Sequence, residues 1–109
     1  MLQGQDVSTE TTSWYVYLLR CSDGSLYTGI TSDLERRLAE HNAGAPRGAR
    51  YTRTRRPVRL VWHMCCDSRS SAQKEEHRIR KLPRQDKLLL ERDAQARMLS
   101  GKRTATTSP

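Results

Sequence analysis

The chain has 109 residues, which is the size of one domain and leaves no room for a separate specificity domain. Twenty Lys and Arg against twelve Asp and Glu give a formal net charge of +8, so we expect a polyanionic partner, either nucleic acid or an anionic membrane surface. No apolar run approaches the length of a membrane span and the start of the chain does not resemble a signal peptide, so we expect a cytoplasmic protein.

The three cysteines, Cys21, Cys65 and Cys66, do not form a metal or disulfide pattern. An odd count without Cys-x-x-Cys spacing argues against a disulfide framework and against a zinc site. His63 beside Cys65 and Cys66 is a weak metal candidate, and we prefer small buried thiols at the end of a strand.

Polar segments flank the predicted domain. Residues 1–12 are polar and aperiodic and predict a disordered lead, while residues 100–109 are rich in Thr and Ser and predict a disordered tail. We therefore expect residues 13–99 to form the folded domain.

A β-hairpin is predicted at the start of this domain. Aromatic and branched residues over 14–21 predict a strand, residues 22–24 have the Ser-Asp-Gly composition of a turn, and residues 25–30 predict a second strand.

The hairpin carries two tyrosines, Tyr17 and Tyr27, whose relation depends on the loop. A three-residue loop with Gly24 in the left-handed conformation pairs Leu19 with Tyr27 and Tyr17 with Gly29, so both tyrosines lie on one sheet face. A two-residue Asp-Gly loop would place them on opposite faces. Tyrosines are also common in strands, so the pair alone does not indicate catalysis.

A helix is predicted after the hairpin. Ser32 is a suitable N-cap, and Glu35 three residues later completes a capping box. Leu34 and Leu38 supply the side of the helix that packs on the core, and Gly44 fits a C-terminal stop.

The remaining predicted elements are a loop at 45–50, a basic extended segment at 51–56, a strand at 58–64, a helix capped by Asp67 or Ser68 that runs to about Leu82, and a helix at roughly 84–99. Pro83 breaks the chain between the two helices. The order strand, strand, helix, strand, helix, helix predicts a small antiparallel sheet with helices packed on it, which is an α+β fold.

Arginines dominate the stretch from Arg36 to Cys66, where Glu40 is the only acidic residue. A solvated face normally mixes both signs of charge, so we favour a phosphate-binding surface over a basic surface that only aids solubility. Tyr51 could stack on a base or sugar, or could equally be a packed aromatic. The predicted nucleic-acid contacts are Arg47, Arg50, Tyr51, Arg53, Arg55 and Arg56.

Arg37 and His41 lie four residues apart on the first helix and project from the same side, at the rim of the core. A solvated arginine and a histidine near the helix end explain this spacing without catalysis, and the spacing alone favours that interpretation.

Two adjacent glutamates, Glu75 and Glu76, lie on the second predicted helix. Each shares a helical stripe with Ala72 and Ile79, and a carboxylate on the core-facing side needs a metal ion or an arginine as its partner. An ordinary ion pair between Glu76 and Arg80, four residues apart, is the simpler alternative.

The following segments occur in the order of the motifs of one family: Tyr15-Val16-Tyr17, Tyr27-Thr28-Gly29, 33–38 followed by His41-Asn42, 48–53, Arg56-Pro57-Val58, and Glu76-x-x-Ile79 followed by Leu82 and Arg84. In these segments the chain resembles the GIY-YIG nuclease superfamily, and within it the small stand-alone YhbQ-like proteins. The first two stand where the family has Gly-Ile-Tyr and Tyr-Ile-Gly. The resemblance covers residues from about 13 to 92.

The resemblance implies a three-stranded antiparallel sheet flanked by helices and hydrolysis of phosphodiester bonds with one divalent cation, usually Mg²⁺, with Mn²⁺ as the substitute. It implies that Tyr27 is the general base or its relay and that Tyr17 positions the attacking water. Arg37 would steady the phosphate, His41 would assist from the next helical turn, and Glu76 would hold the metal.

Two departures from the family pattern affect the expected substrate. Tyr15 replaces the first glycine, which the small subfamily tolerates, and Ile30 stands where the nucleotide-excision nuclease has a lysine. Without an additional DNA-reading domain, we expect a structure-directed or weakly specific endonuclease acting on DNA, with a protein partner as one source of specificity. The alternative is a non-cleaving or partner-dependent nucleic-acid-binding module on the same fold.

Overall fold

The computed structural model describes residues 13–44 and 48–107, with side chains described as far as residue 97. Its elements are β1 (Trp14–Arg20), β2 (Leu26–Thr31), α1 (Leu34–Ala43), α2 (Arg50–Arg53), β3 (Arg59–Cys66), α3 (Arg69–Arg80) and α4 (Arg84–Thr107). The predicted lead at 1–12 lies outside the described residues. None of the described helices has the combination of length and apolarity needed to cross a bilayer.

The strands form one antiparallel sheet in the order β2-β1-β3, which confirms the predicted α+β fold. β1 is the central strand, and its alternate side chains enter two apolar clusters on opposite sides of the sheet. Val16 and Leu18 belong to the cluster that includes Ala72 and Ile79 of α3. Tyr17 and Leu19 belong to the second, against which Leu34 and Leu38 of α1 pack.

The hairpin has the three-residue loop. The backbone N–H of Cys21 donates to the carbonyl of Ser25, and Gly24 has φ +86°, in the region that favours glycine. Across the strands Tyr17 pairs with Gly29 and Leu19 pairs with Tyr27. The register that places both tyrosines on one sheet face is therefore confirmed.

The N-cap of α1 is Asp33, so the predicted capping box starting at Ser32 is wrong. The Thr31 hydroxyl accepts from the Asp33 backbone N–H at 3.0 Å, and the Asp33 carboxylate accepts from the Arg36 backbone N–H at 3.0 Å. This local turn moves the start of the helix by one residue. At the other end Gly44, with φ +88°, is the C-cap as predicted.

The prediction that residues 51–56 are extended is wrong at their start, because residues 51–53 lie in the helix α2. Burial decides this conformation, because Thr52 is fully buried and its hydroxyl donates to the Ala49 carbonyl, which stabilises a helical turn. Local composition could not show that Thr52 is buried in the folded chain.

The later elements differ from the sequence prediction mainly at their ends. β3 continues to Cys66 because that residue pairs with Trp14 of β1. Ser68, and not Asp67, caps α3, in a capping box with Ser71. α3 ends at Arg80 and α4 begins at Arg84, on either side of Pro83, and the α4 backbone continues to Thr107, beyond the predicted end near residue 99.

Candidate nuclease site

Tyr17, Tyr27 and His41 form an aromatic cluster where the hairpin meets α1. The His41 ring centroid lies 5.9 Å from that of Tyr17 and 5.2 Å from that of Tyr27, both with edge-to-face geometry. The two tyrosine rings are 6.4 Å apart. The sheet register supplies the tyrosines and the last turn of α1 supplies the histidine, so residues far apart in sequence share one location.

Gly29 makes room for the Tyr17 ring. A Cβ atom at Gly29 would lie 2.5 Å from the Tyr17 hydroxyl oxygen and 2.6 Å from its Cζ atom. Both distances are far below van der Waals contact, so any side chain at this position would displace the phenol. The glycine of the Tyr27-Thr28-Gly29 motif is therefore required by the ring that crosses it.

A chain of hydrogen bonds orients His41, which is fully buried. Its Nε2 atom lies 2.9 Å from the Tyr17 hydroxyl, and its Nδ1 atom lies 2.8 Å from the Thr52 hydroxyl. The Ala49 carbonyl can only accept, so we assign the Thr52 proton to it, which makes the Thr52 oxygen the acceptor of His41 Nδ1–H. A neutral imidazole then has Nε2 as its acceptor, and Tyr17 donates its proton to it.

Burial keeps both members of this pair neutral. It is the main cause that lowers the pKa of His41 to about 4, and the nearby positive charge of Arg37 lowers it further. Burial is also the main cause that raises the pKa of Tyr17 to about 12, followed by the neighbouring Tyr27. At neutral pH the site therefore contains a phenol hydrogen-bonded to an uncharged imidazole.

Arg37 brings a positive charge to the same hydroxyl. Its charge interacts with Tyr17, and it forms an ion pair with Glu40 at 2.9 Å. Burial alone would lower the pKa of Arg37, but its interactions with Glu40 and Tyr17 raise it overall, so the guanidinium stays charged. Three quarters of its side chain is buried, which strengthens its field inside the cleft.

Glu76, and not Glu75, is the carboxylate that acts on the tyrosines. After the larger effect of burial, the charge of Glu76 contributes to the raised pKa values of both Tyr17 and Tyr27. Glu75 instead contributes to the raised pKa of Cys66, again after burial. The simpler contact considered for Glu76 is also present, because its Oε2 atom accepts from Arg80 at 2.8 Å.

The residues around Glu76 fit Mg²⁺ only as a site to which the protein contributes a single carboxylate. The described residues contain no group of three or more His, Cys, Asp or Glu side chains able to hold a metal ion. Mg²⁺ needs only one or two carboxylates when water and substrate phosphate fill its other positions. A single largely buried glutamate whose charge acts on two tyrosines meets that requirement, although Arg80 would have to give up the same oxygen.

The arginines predicted to bind nucleic acid fall into two groups. Arg50 and Arg53 on α2 are exposed, and neither makes an ion pair with another described residue. Arg55 binds Asp23 at 3.0 Å and Arg56 donates to the Arg53 and Asn42 carbonyls, so both hold the chain together. Arg47 lies outside the described residues.

Tyr51 is a packed aromatic in this structure. Its ring stacks on Tyr27 with centroids 5.8 Å apart, and the Arg55 guanidinium lies 4.0 Å from its centroid. Tyr51 as a residue remains 38% exposed. Of the two interpretations left open by the sequence, packing is observed, and stacking on a base stays a prediction.

Sequence reasoning missed two residues that build the site. Thr52 orients His41, and the Asn42 side chain binds both backbone polar groups of Val58, donating at 2.9 Å and accepting at 2.7 Å. The Asn42 contact ties α1 to the segment that follows α2. The only sequence signal was their position inside the matched motifs, because neither contact is local.

The arrangement agrees with a comparison against protein families. The model of the GIY-YIG catalytic domain matches residues 13–88 of the chain. The chain belongs to the GIY-YIG family. Most of the matched region is the sheet, α1 and α3, which are the elements that carry the tyrosines, Arg37, His41 and Glu76.

Similar proteins place the chain among the small stand-alone members of this nuclease-type family. It is 51% identical over 78 residues to a UPF0213 protein of Desulfotalea psychrophila, covering 72% of this chain and 70% of the relative. It is 56% identical over 73 residues to a UPF0213 protein of Haloquadratum walsbyi, covering 67% and 80%. These names state no activity.

A solved structure supports the same fold. The solution NMR structure of a protein from E. faecalis is 44% identical, covers 80% of this chain and 88% of that chain, and superposes with a TM-score of 0.50. The three-stranded antiparallel sheet with helices is thus shared with a relative.

Proposed function

We propose that the chain is an endonuclease that hydrolyses phosphodiester bonds in DNA with weak sequence specificity. The observation that carries this proposal is the Tyr17 hydroxyl, which is hydrogen-bonded to buried His41 and lies in the field of the charged Arg37 and Glu76. Several titratable side chains with strongly shifted pKa values that share one location are typical of catalytic sites.

Tyr17 is suited to orienting an attacking water. With its proton directed to His41, its oxygen presents only acceptor lone pairs to a water. A water that donates to Tyr17 keeps a lone pair for attack on phosphorus. Arg37 lies at the same oxygen and can stabilise charge that develops on the phosphate.

Tyr27 is suited to the base or relay role that the resemblance implies. Among the described residues its hydroxyl has no hydrogen-bond partner, so it can contact water or phosphate. Burial raises its pKa, Arg37 lowers it and Glu76 raises it. A divalent cation held by Glu76, Mg²⁺ or its substitute Mn²⁺, would cancel the effect of that carboxylate, acidify water and neutralise the leaving oxygen.

Exposed arginines on α2 supply the proposed contact with the nucleic-acid backbone. Arg50 and Arg53 lie on the helix that places Tyr51 against Tyr27, so phosphates bound there would continue from the catalytic cluster. Backbone contacts position a substrate without reading its sequence. This agrees with a preference for flaps, nicks or single strands, or with a protein partner that selects the substrate.

The paired glutamates give a matched test of the proposed metal ligand. We expect Glu76→Gln to abolish cleavage in Mg²⁺ while DNA affinity is kept or slightly increased, because a negative charge near the phosphate is removed. Glu75→Gln should cleave as the wild type does, since Glu75 acts on Cys66 and pairs with Arg78. An inactive Glu75→Gln with an active Glu76→Gln would contradict the assignment.

One contact favours the alternative of a non-cleaving or partner-dependent binding module. Arg80 already binds the Glu76 carboxylate at 2.8 Å and could take the place of a metal. NMR spectra recorded during a Mn²⁺ titration with DNA bound distinguish the two functions. Paramagnetic broadening centred on Glu76 supports the nuclease, and broadening spread over the surface supports the binding module.

A further inference from the structure

Thr52 is a buried polar residue to which neither the motif nor the charge pattern gives a role. It lies in the middle of α2, its side chain is fully buried, and the neighbours Tyr51 and Arg53 are exposed. Its hydroxyl makes two hydrogen bonds, one to the Ala49 carbonyl at 3.1 Å and one to His41 Nδ1 at 2.8 Å. It therefore connects the α2 backbone to the catalytic cluster.

The important feature of these two hydrogen bonds is which atom donates and which atom accepts. We infer the direction from the Ala49 carbonyl, which can only accept: with the Thr52 proton directed to that carbonyl, the Thr52 oxygen accepts from His41. The proton of neutral His41 is thereby held on Nδ1, and Nε2 is left as a lone pair aimed at Tyr17. The tautomer of a histidine is set by the hydrogen bond of its other nitrogen.

We propose that Thr52 is a positioning residue of this site, which holds the His41 tautomer that accepts the Tyr17 proton. The proposal rests on the nuclease function for its catalytic meaning, but the tautomer itself can be observed without any cleavage. Without the Thr52 hydroxyl, Nδ1–H would be buried without its acceptor, and the proton would be more stable on Nε2.

The other tautomer of His41 would change the Tyr17 hydroxyl from a hydrogen-bond acceptor into a donor toward the cleft. His41 Nε2–H would donate to the Tyr17 oxygen, and the Tyr17 proton would have to turn toward the cleft. Tyr17 would then present a donor where the reaction needs an acceptor, so a water bound there would turn a lone pair toward Tyr17. The ring positions would change little, while the hydrogen-bond pattern presented to the substrate would be inverted.

Long-range ¹H–¹⁵N NMR of the His41 ring tests the proposal directly. The wild type and Thr52→Ser, which keeps a hydroxyl, should show a protonated Nδ1 and an unprotonated Nε2. Thr52→Val should show the reverse pattern, with Thr52→Ala as the second variant if the valine disturbs folding. A wild-type spectrum with Nε2 protonated, or a Thr52→Val spectrum like that of the wild type, would overturn the proposal.

Thr31→Val is the matched control for simple loss of a buried hydroxyl. Thr31 is also buried, and its hydroxyl makes two hydrogen bonds, both to the backbone of Asp33. We expect this variant to lose stability with no change in the His41 ring signals. A His41 change as large as that of Thr52→Val would show that the tautomer follows general loosening of the fold and would refute the role of Thr52.

Cleavage assays separate this proposal from the nuclease function. Thr52→Val should cleave about 10- to 100-fold more slowly, the range seen when partners that orient metal-bound histidines are removed, and Thr52→Ser should recover most of the rate. If the wild type cleaves nothing, the nuclease function fails and the NMR result still decides whether Thr52 sets the tautomer. If Thr52→Val flips the tautomer but cleaves normally, Thr52 has no positioning role in the reaction.

Discussion

Gly29→Ala should damage the site through one steric contact. The new methyl group would lie 2.5 Å from the Tyr17 hydroxyl oxygen, 2.6 Å from its Cζ and 3.1 Å from Tyr27 Cε2. Since the strand backbone is fixed by pairing on β1, the Tyr17 ring has to move, and its bond to His41 is lost. Overpacking costs about 1–3 kcal/mol and the lost hydrogen bond about 1 kcal/mol, so we expect roughly 2–4 kcal/mol of destabilisation.

Gly24→Ala separates this effect from a general loss of stability. Gly24 has φ +86°, and no atom lies within 4 Å of the position that a Cβ would take there. Alanine at this position therefore costs about 1–2 kcal/mol of backbone strain without touching the site. Urea unfolding gives the two stability changes, and cleavage is then measured where both variants are folded. We expect Gly29→Ala alone to lose cleavage, and equal, wild-type cleavage by both variants would refute the steric argument.

Two further predictions concern charge. His41 has a pKa of about 4 in the folded chain against 6.5 unfolded, so the stability it contributes is complete above pH 6.5 and is lost as the pH falls toward 4, roughly 3 kcal/mol in all. Urea unfolding of the wild type and His41→Gln from pH 7 to 4 measures this difference, and an NMR titration of His41 centred near 6.5 would contradict it. Arg53→Ala should lower the salt dependence of DNA binding by about one unit of log–log slope. Arg56→Ala should lower Tm with little change in that slope, because its guanidinium binds two backbone carbonyls; equal slopes for the two variants would refute the distinction.

The sequence was compatible with two hairpin geometries, which differ in the length of the loop. Strand propensity located both strands, but the choice between a two-residue and a three-residue loop decides whether Tyr17 and Tyr27 share a face. The closing bond between Cys21 and Ser25, with Gly24 at positive φ, makes that choice, and it depends on the pairing of whole strands. The tyrosine pair was therefore predictable as one of two geometries.

Tertiary contacts explain what the sequence could not show. By spacing, Glu75 and Glu76 each share a helical stripe with Ala72 and Ile79, and only the packing of α3 on the sheet makes Glu76 the one whose charge acts on both tyrosines. Counting arginines predicted a basic surface, but it could not reveal that Arg55 and Arg56 bind groups of the chain itself. The role of Thr52 depends on its contact with His41, which forms only when α2 folds against that histidine, so the sequence could not show it.

The central claim is that the Tyr17 hydroxyl takes part in phosphodiester hydrolysis. Its most direct test is cleavage of flap, nicked and single-stranded DNA in Mg²⁺ by the wild type and by Tyr17→Phe, with binding of both proteins measured on the same substrates. Phenylalanine removes only the oxygen that is hydrogen-bonded to His41 and interacts with the charge of Arg37. We expect the wild type to cleave at least one substrate and to stop when Mg²⁺ is chelated, and Tyr17→Phe to bind equally and not to cleave. Cleavage by Tyr17→Phe at the wild-type rate, or no cleavage of any substrate by the wild type, would contradict the account.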